Sequence, residues 1–479
     1  MSTRKLLLVN ITRAHKPSHT RNHPFRLRNT MASARELIDA SPLSRLQIRV
    51  ILLCTLVNMA EGYDILSMSL AILPITDDWG ISGTQSGMLF SAGLIGMAVG
   101  SIALGPVGDR YGRRPLLIGS LVVITVGLLL SAASGDVTQL ALARLLAGVG
   151  MGGIIPSSPI IVGEYAPARK RSTLIALFAI GIPLGGVLGG AGAAVLMSTY
   201  GWHSAFLLGA VVTAIMAGVA YFGIPESPDF LAAKGTESSR KKLDELISKM
   251  KLTGVPATGN HTTPVRRSPN VSGSAHLKSW ALATTCIVFG LVNIAYFFGN
   301  TWTPKLLKLA GMSNNAGISG GLMFSLGGAL GTLVFAGLAL RFASMWITMG
   351  FILAGSLLFG VLALVSTQLS PALVASALLG LCMTAAYTGL YVMVPILFRP
   401  EARVSALGIA AGLGRIGSIV TPLGIGLLVD RSWTTESIFF LFVVPTLLAA
   451  ATIAYAQVRN TKESVALAVD GEKASVPAA

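Results

Sequence analysis

The sequence predicts an all-α membrane protein whose twelve transmembrane helices form two six-helix bundles. Three observations carry this. The 479-residue chain is 53% hydrophobic and only 12% charged, against roughly 25% charged in a soluble domain. Its apolar residues fall into about twelve runs, each near the ~20 residues a helix needs to cross a ~30 Å hydrocarbon core. One long polar gap, residues 225–278, divides the runs six and six. The 54 glycines and 22 prolines fit as well, since small residues allow close helix contact in a bilayer and neighbouring helices re-satisfy breakers.

Residues 1–45 read as a basic N-terminal tail. Arg4, Lys5, Arg13, Lys16, Arg21, Arg26 and Arg28 lie in the first 30 positions with no acid among them, and the apolar stretch 6–11 is too short for a signal sequence. Met31 opens a fresh segment, so residues 1–30 are expected to be an extension not native to the protein, with a basic tail as the alternative. The first bundle, 46–224, holds runs at 47–76, 83–106, 115–134, 138–163, 172–198 and 202–224; the second, 279–457, holds runs at 279–303, 314–340, 344–366, 371–397, 404–429 and 435–457. Within the gap, 236–252 has the pattern of a short amphipathic helix on the inner surface and 253–275 that of a flexible linker; 458–479 forms a C-terminal tail. Cys54, Cys286 and Cys382 lie in separate apolar runs without metal-ligand spacing and read as packing residues.

A net charge of +16 alone would suggest nucleic acid, but its distribution points to membrane topology. Arg110, Arg113 and Arg114 follow run two, Arg169, Lys170 and Arg171 follow run four, and Arg399 and Arg403 follow run ten. Gaps after odd-numbered runs carry Asp77, Asp78 and Asp136, with Lys305 and Lys308 as a local exception. By the positive-inside tendency, both termini and the even-numbered gaps are cytoplasmic in a multi-pass protein of the inner (plasma) membrane. Two six-helix halves suggest a transporter with a central site between related bundles.

The most specific signal is Gly-Pro-Val-Gly-Asp-Arg-Tyr-Gly-Arg-Arg-Pro at 105–115. Its glycines let two helix ends approach, Asp109 can face a cation, and Arg113 and Arg114 supply fixed charge. The cluster resembles the loop 2–3 signature of the major facilitator superfamily. Run four, Arg144-Leu-Leu-Ala-Gly148-Val-Gly150-Met-Gly152-Gly153, its end Glu164-Tyr-Ala-Pro-Ala-Arg-Lys-Arg171, and Pro225-Glu226-Ser227-Pro228 extend the resemblance along the chain. The resemblance implies a cytoplasmic charge network that locks one conformation, built from Gly105, Asp109, Arg110, Gly112, Arg113, Arg114, Glu164, Arg171 and Glu226. The second half departs from the pattern: Arg341 has no accompanying acid, and Leu397 stands where relatives often carry a carboxylate, which argues against a symmetric gate.

Run one contains Glu61-Gly62-Tyr63-Asp64, preceded by Pro42-Leu-Ser-Arg45 and followed by Asp78-Trp79-Gly80-Ile81. This is similar to the aromatic acid:proton symporter family, whose first helix carries an acidic-Gly-aromatic-Asp motif, here with Glu in place of the usual first Asp. The resemblance implies proton-coupled import of a small organic carboxylate such as a benzoate or hydroxybenzoate.

Charges near a bilayer centre are costly and need a partner or a task. Away from helix ends the sequence offers Glu61, Asp64, Arg144 and Arg415. All six histidines lie in tails, loops or helix margins, so proton coupling falls to Asp64 and Glu61. Three residues apart, these carboxylates share a helix face about 4.5 Å apart along the axis and cannot both ionise cheaply, which suits one of them to taking up and releasing a proton. Asp64 leads in this reading, with Glu61 assisting. Asp64 and Arg144 lie at equal depth, as a static ion pair or a functional switch. Arg415 has no acid at its depth in its own half and is the candidate carboxylate binder. Arg144, Asn293, Tyr296, Tyr387 and Tyr391 complete the candidate substrate pocket, although any one of these aromatics taken alone is more often packing than ligand.

Enzymatic classes lack their parts: HExxH, DDxxD spacing and the G-x-x-x-x-G-K-[ST] loop are all absent from the sequence. No catalytic residue, cofactor or metal is expected. The expected partners are a small organic acid anion, a proton and the lipid bilayer, with no nucleic acid and a single copy of the chain. The alternatives are proton-driven efflux and a non-transporting sensor of the same fold. Gly181-Ile-Pro183-Leu-Gly185-Gly186 only loosely resembles an exporter motif and reads as close-packing glycines.

Overall fold

The computed structural model describes residues 34–250, 279–398 and 403–475. The expected extension at 1–30 and the linker at 253–275 lie outside the described residues. Among the described residues, twelve helices are long and apolar enough to cross a membrane: α1 Arg45–Trp79, α2 Gly83–Tyr111, α3 Arg113–Ala132, α4 Val137–Tyr165, α5 Thr173–Tyr200, α6 His203–Gly223, α7 Trp280–Leu309, α8 Asn314–Leu338, α9 Ser344–Val365, α10 Leu369–Val394, α11 Ala406–Asp430 and α12 Thr435–Arg459. There is no strand among the described residues. Helices also occupy 34–40, Pro228–Lys234 and Glu237–Met250, and the last helix continues to Ser475.

Local chemistry fixes the helix ends. Ser44 and Gln47 satisfy each other's backbone N–H groups at the start of α1, and Ser82 and Gln85 repeat this capping box at α2. Asp136 accepts from the N–H groups of Thr138 and Gln139 to open α4. Gly80, at φ 61°, turns the chain out of α1 in the left-handed conformation that glycine adopts cheaply.

Each half is held by close backbone approach, with α2 against α4 and α8 against α10. In the first pair, Gly96 and Gly100 lie on the backbone of Leu145 and Val149, while Gly148 and Gly152 lie on that of Gly93, Met97 and Ser101. A side chain at any of these would separate the helices, and interfaces of this kind are favoured in a bilayer, where packing replaces the hydrophobic effect. The α5 helix is broken at Ile180. Pro183 cannot donate to the carbonyl one turn back, and Asn58 of α1 donates to the Phe178 carbonyl beside the break at 2.9 Å.

The halves meet through α2 against α11 and α5 against α8, with α1 and α7 between them. One end of the molecule, the basic end, carries the 105–115 turn, the start of α1 and the short helices after α6. The opposite, far end carries hydrogen bonds and an ion pair that join the halves. Asp430 accepts from the N–H of Gly83 at 2.6 Å and from the N–H and hydroxyl of Thr84 at 2.8 and 2.5 Å. Lys308 pairs with Asp77, which also accepts from Asn314 at 2.8 Å. Deeper in the seam, Ser91 donates to the Ile419 carbonyl at 2.7 Å and Ser69 to that of Thr301 at 2.9 Å.

Candidate functional site

The site grows from the middle of α1. Asn58, Glu61, Tyr63 and Asp64 are all buried there, and Gly62 and Gly185 lie directly on backbone of the facing helix, so α5 fits tightly against this stretch. The Tyr63 hydroxyl donates to the Ala205 carbonyl, which ties α1 to α6.

Asp64 points into its own half, where Arg144 of α4 meets it as a bidentate pair. Nη1 donates to Oδ1 at 2.6 Å and Nη2 to Oδ2 at 2.5 Å, with the side chains 4% and 2% exposed. The Phe206 ring lies 5.7 Å from the guanidinium. Each terminal nitrogen of Arg144 thus donates to Asp64, while its Nε is buried without a hydrogen-bond partner. The cavity beside this pair, next to Met68, Phe90 and Met151, amounts to about 30 Å³, room for little more than a water.

Glu61 faces the other half. The sequence leaves Arg415 without an acid in its own half; in the structure Glu61 of α1 lies within electrostatic range of it, without a direct ion pair among the described residues. Tyr296 and Tyr391 are within reach of Glu61 too, and Tyr391 of Arg415. The rings form a continuous wall. Tyr296 stacks on Tyr387 with centroids 4.9 Å apart, Tyr387 meets Tyr391 edge to face at 5.7 Å with the hydroxyls 3.4 Å apart, and Tyr391 meets Phe289 at 5.7 Å. Asn293 donates to the Phe289 carbonyl one turn back at 2.8 Å and packs against Gly414, the neighbour of Arg415. Thus Arg415, Asn293, Tyr296, Tyr387 and Tyr391 converge as the sequence suggested, with Glu61 as the added member. Tyr391 is exposed and Arg415 partly so, whereas the adjoining cavity against Gly62, Phe324, Ser325 and Thr384 is only about 20 Å³.

At the basic end the expected charge network exists with different partners. Asp109 pairs with Arg113 at 2.7 Å within its own turn. Glu226 caps α3, accepting from the N–H groups of Arg113 at 2.9 Å and Arg114 at 3.1 Å, where a helix N-terminus favours negative charge. Gly112, at φ 118°, turns the chain directly against that carboxylate. Glu164 accepts from the Ser227 hydroxyl, and Arg35 donates to the Glu164 carbonyl at 2.9 Å. Arg171 pairs at 2.5 Å with Asp39, not with Glu164 or Glu226, which corrects the expected wiring: its acid comes from the helix at 34–40. Arg114 donates to the Tyr221 carbonyl at 2.6 Å, Arg110 lies over the Tyr111 ring, and nothing crowds Gly105.

Sequence reasoning missed one buried charge. Lys305, 3% exposed, donates to Ser86 and, at 3.3 Å, to Thr76. It and Lys308 are the local exception among the odd-numbered gaps, and both are used in the far-end seam.

The chain matches the Major Facilitator Superfamily over residues 51–374 and again over 323–478. It is 30% identical to the 4-hydroxybenzoate transporter PcaK of Acinetobacter baylyi, over 91% of this chain and 97% of that protein. It is 29% identical to the gallate transporter of Pseudomonas putida, over 88% of this chain and 94% of that protein. Among solved structures, a partially occluded inward open conformation of the xylose transporter XylE from E. coli matches with a TM-score of 0.67 at 17% identity, covering 86% of this chain and 98% of that one, so the two share a fold.

Proposed function

The chain belongs to the Major Facilitator Superfamily and groups with its aromatic acid transporters, which makes it a membrane transporter rather than an enzyme; from that premise we propose that it imports a small aromatic carboxylate together with a proton by alternating access. One observation carries the reading. The two carboxylates of α1 face arginines of different halves: Asp64 is ion-paired with Arg144 within the first half, and Glu61 lies within electrostatic range of Arg415 across the seam.

The far-end bonds between halves, together with the exposure of Tyr391, support a state open toward the basic end. With the basic end in the cytoplasm, this is the inward-facing state. A substrate carboxylate would take the Arg415 guanidinium in a bidentate pair, with its ring against Tyr296 and Tyr387. Glu61 then loses its counter-charge in a low-dielectric site and takes up a proton. The cavity holds a carboxylate and a guanidinium before binding, and a substrate anion, a guanidinium and a neutral acid afterwards. The net charge is unchanged, so the cost of closing around the substrate stays low. By linkage, a proton on Glu61 frees Arg415 for substrate. This order reverses the sequence reading, which put Asp64 first; here the Asp64–Arg144 pair braces α1 against α4 while Glu61 exchanges.

Counterflow into proteoliposomes with benzoates, hydroxybenzoates, muconate and short aliphatic acids tests the substrate class. Aromatic acids should exchange fastest, and exchange confined to the aliphatic acids would refute the assignment.

A further inference from the structure

At the basic end, a cleft of about 800 Å³ opens between the foot of α1, the 105–115 turn, the end of α6 and the short helices Pro228–Lys234 and Glu237–Met250. It is lined by the cations Arg49, Arg114, Lys234, Lys242 and Lys249 against two carboxylates, Glu226 and Glu245. Glu226 is already spent on backbone N–H groups. The guanidiniums are anchored rather than free to swing: Arg49 donates to the Gly223 carbonyl at 2.9 Å, and Arg114 donates to the Tyr221 carbonyl and lies 5.2 Å from the Tyr221 ring. Arg114 Nε is buried without a hydrogen-bond partner.

The rim is apolar. Tyr111, Tyr221 and Phe222 are exposed, Phe222 to 84%, and they stand where α2 and α6 end. Rings at helix ends mark the membrane boundary, and a cationic hollow bordered by rings there matches a ligand with an anionic head and a hydrocarbon body. We propose that this cleft binds the phosphodiester headgroup of an anionic phospholipid, with the acyl chains against Phe222 and the lysines of the short helices closing over the phosphate. The lipid would join the helix Glu237–Met250 to the base of the first half.

The test uses the full chain purified in neutral detergent and titrated with phosphatidylglycerol, phosphatidylcholine or inorganic phosphate. Thermal midpoint and native mass spectrometry of retained lipid are the readouts. Phosphatidylglycerol should be retained and raise the midpoint; phosphatidylcholine should do neither. The variant Lys234→Gln/Lys242→Gln/Lys249→Gln, all at exposed positions outside the transport site, should weaken phosphatidylglycerol binding roughly 100-fold, a tenfold loss for every one and a half lysines. Phe222→Ser should weaken the lipid and leave phosphate binding unchanged. Equal retention of the two lipids, or a triple variant that binds phosphatidylglycerol like the parent, overturns the proposal. Inorganic phosphate binding as tightly as phosphatidylglycerol overturns the lipid as its source.

Discussion

Replacing Asp64 by Asn leaves Arg144 as a buried guanidinium without a counter-charge. Both side chains are at most 4% exposed, so solvent screening gives no relief, and two hydrogen bonds of 2.6 and 2.5 Å are altered at once. Removing one partner of a buried pair costs about 3–5 kcal/mol. Asn keeps one acceptor oxygen, which puts Asp64→Asn near the lower end, ~3 kcal/mol by the same reasoning. Removing both charges restores balance, so Asp64→Asn/Arg144→Gln should recover about 2 kcal/mol of that loss as coupling energy. Thermal unfolding of the purified proteins in detergent should rank wild type above the double variant and the double above the single. A single variant as stable as wild type, or a double less stable than the single, would refute the bracing role of this pair.

Asp109→Asn removes an exposed ion pair worth no more than about 0.5 kcal/mol, so the variant should be produced at normal levels yet show slower initial uptake; unchanged uptake removes Asp109 from the gate. Gly112→Ala forces a side chain into a φ of 118° against Glu226 and should cost about 1–3 kcal/mol, while Gly105→Ala, in open space, should leave the thermal midpoint unchanged. Asp430→Asn weakens three bonds across the far-end seam at an exposed carboxylate, where solvent screening holds each to about 0.5–1 kcal/mol, and should raise the labelling rate of a cysteine placed at Ser82; an unchanged rate means that Asp430 is no latch. A cysteine introduced at Lys242 should resist impermeant reagents in intact cells, and ready labelling there would invert the assigned orientation.

The helices were legible because membrane insertion needs only length and composition, and both are local. Pairing within a half was partly legible: Asp64 and Arg144 could be matched by depth along antiparallel helices. The Glu61–Arg415 relation was not, since it depends on how one bundle seats against the other, and no spacing within either half encodes that register. Asp39 escaped because it lies in a stretch read as tail, although Arg171 needed an acid nearby. Lys305 was set aside as a loop cation, but α7 runs on to Leu309, beyond the expected 303, and carries it into the seam. Asp430 falls just past run eleven, 404–429, and drew no role from the sequence. A signal did exist, because α2 begins with no acid in its first turn, and its N-terminal N–H groups favour a carboxylate from elsewhere.

Proton uptake on substrate binding separates coupling through Glu61 from simple anion binding. With the purified protein in weakly buffered solution, adding a saturating benzoate-class acid at its own pH should make the medium more alkaline. Glu61→Gln should still bind the acid but lose this signal entirely, and Arg415→Ala should lose both binding and signal. Proton uptake by Glu61→Gln equal to that of the parent would contradict the coupling of substrate and proton through Glu61 and Arg415.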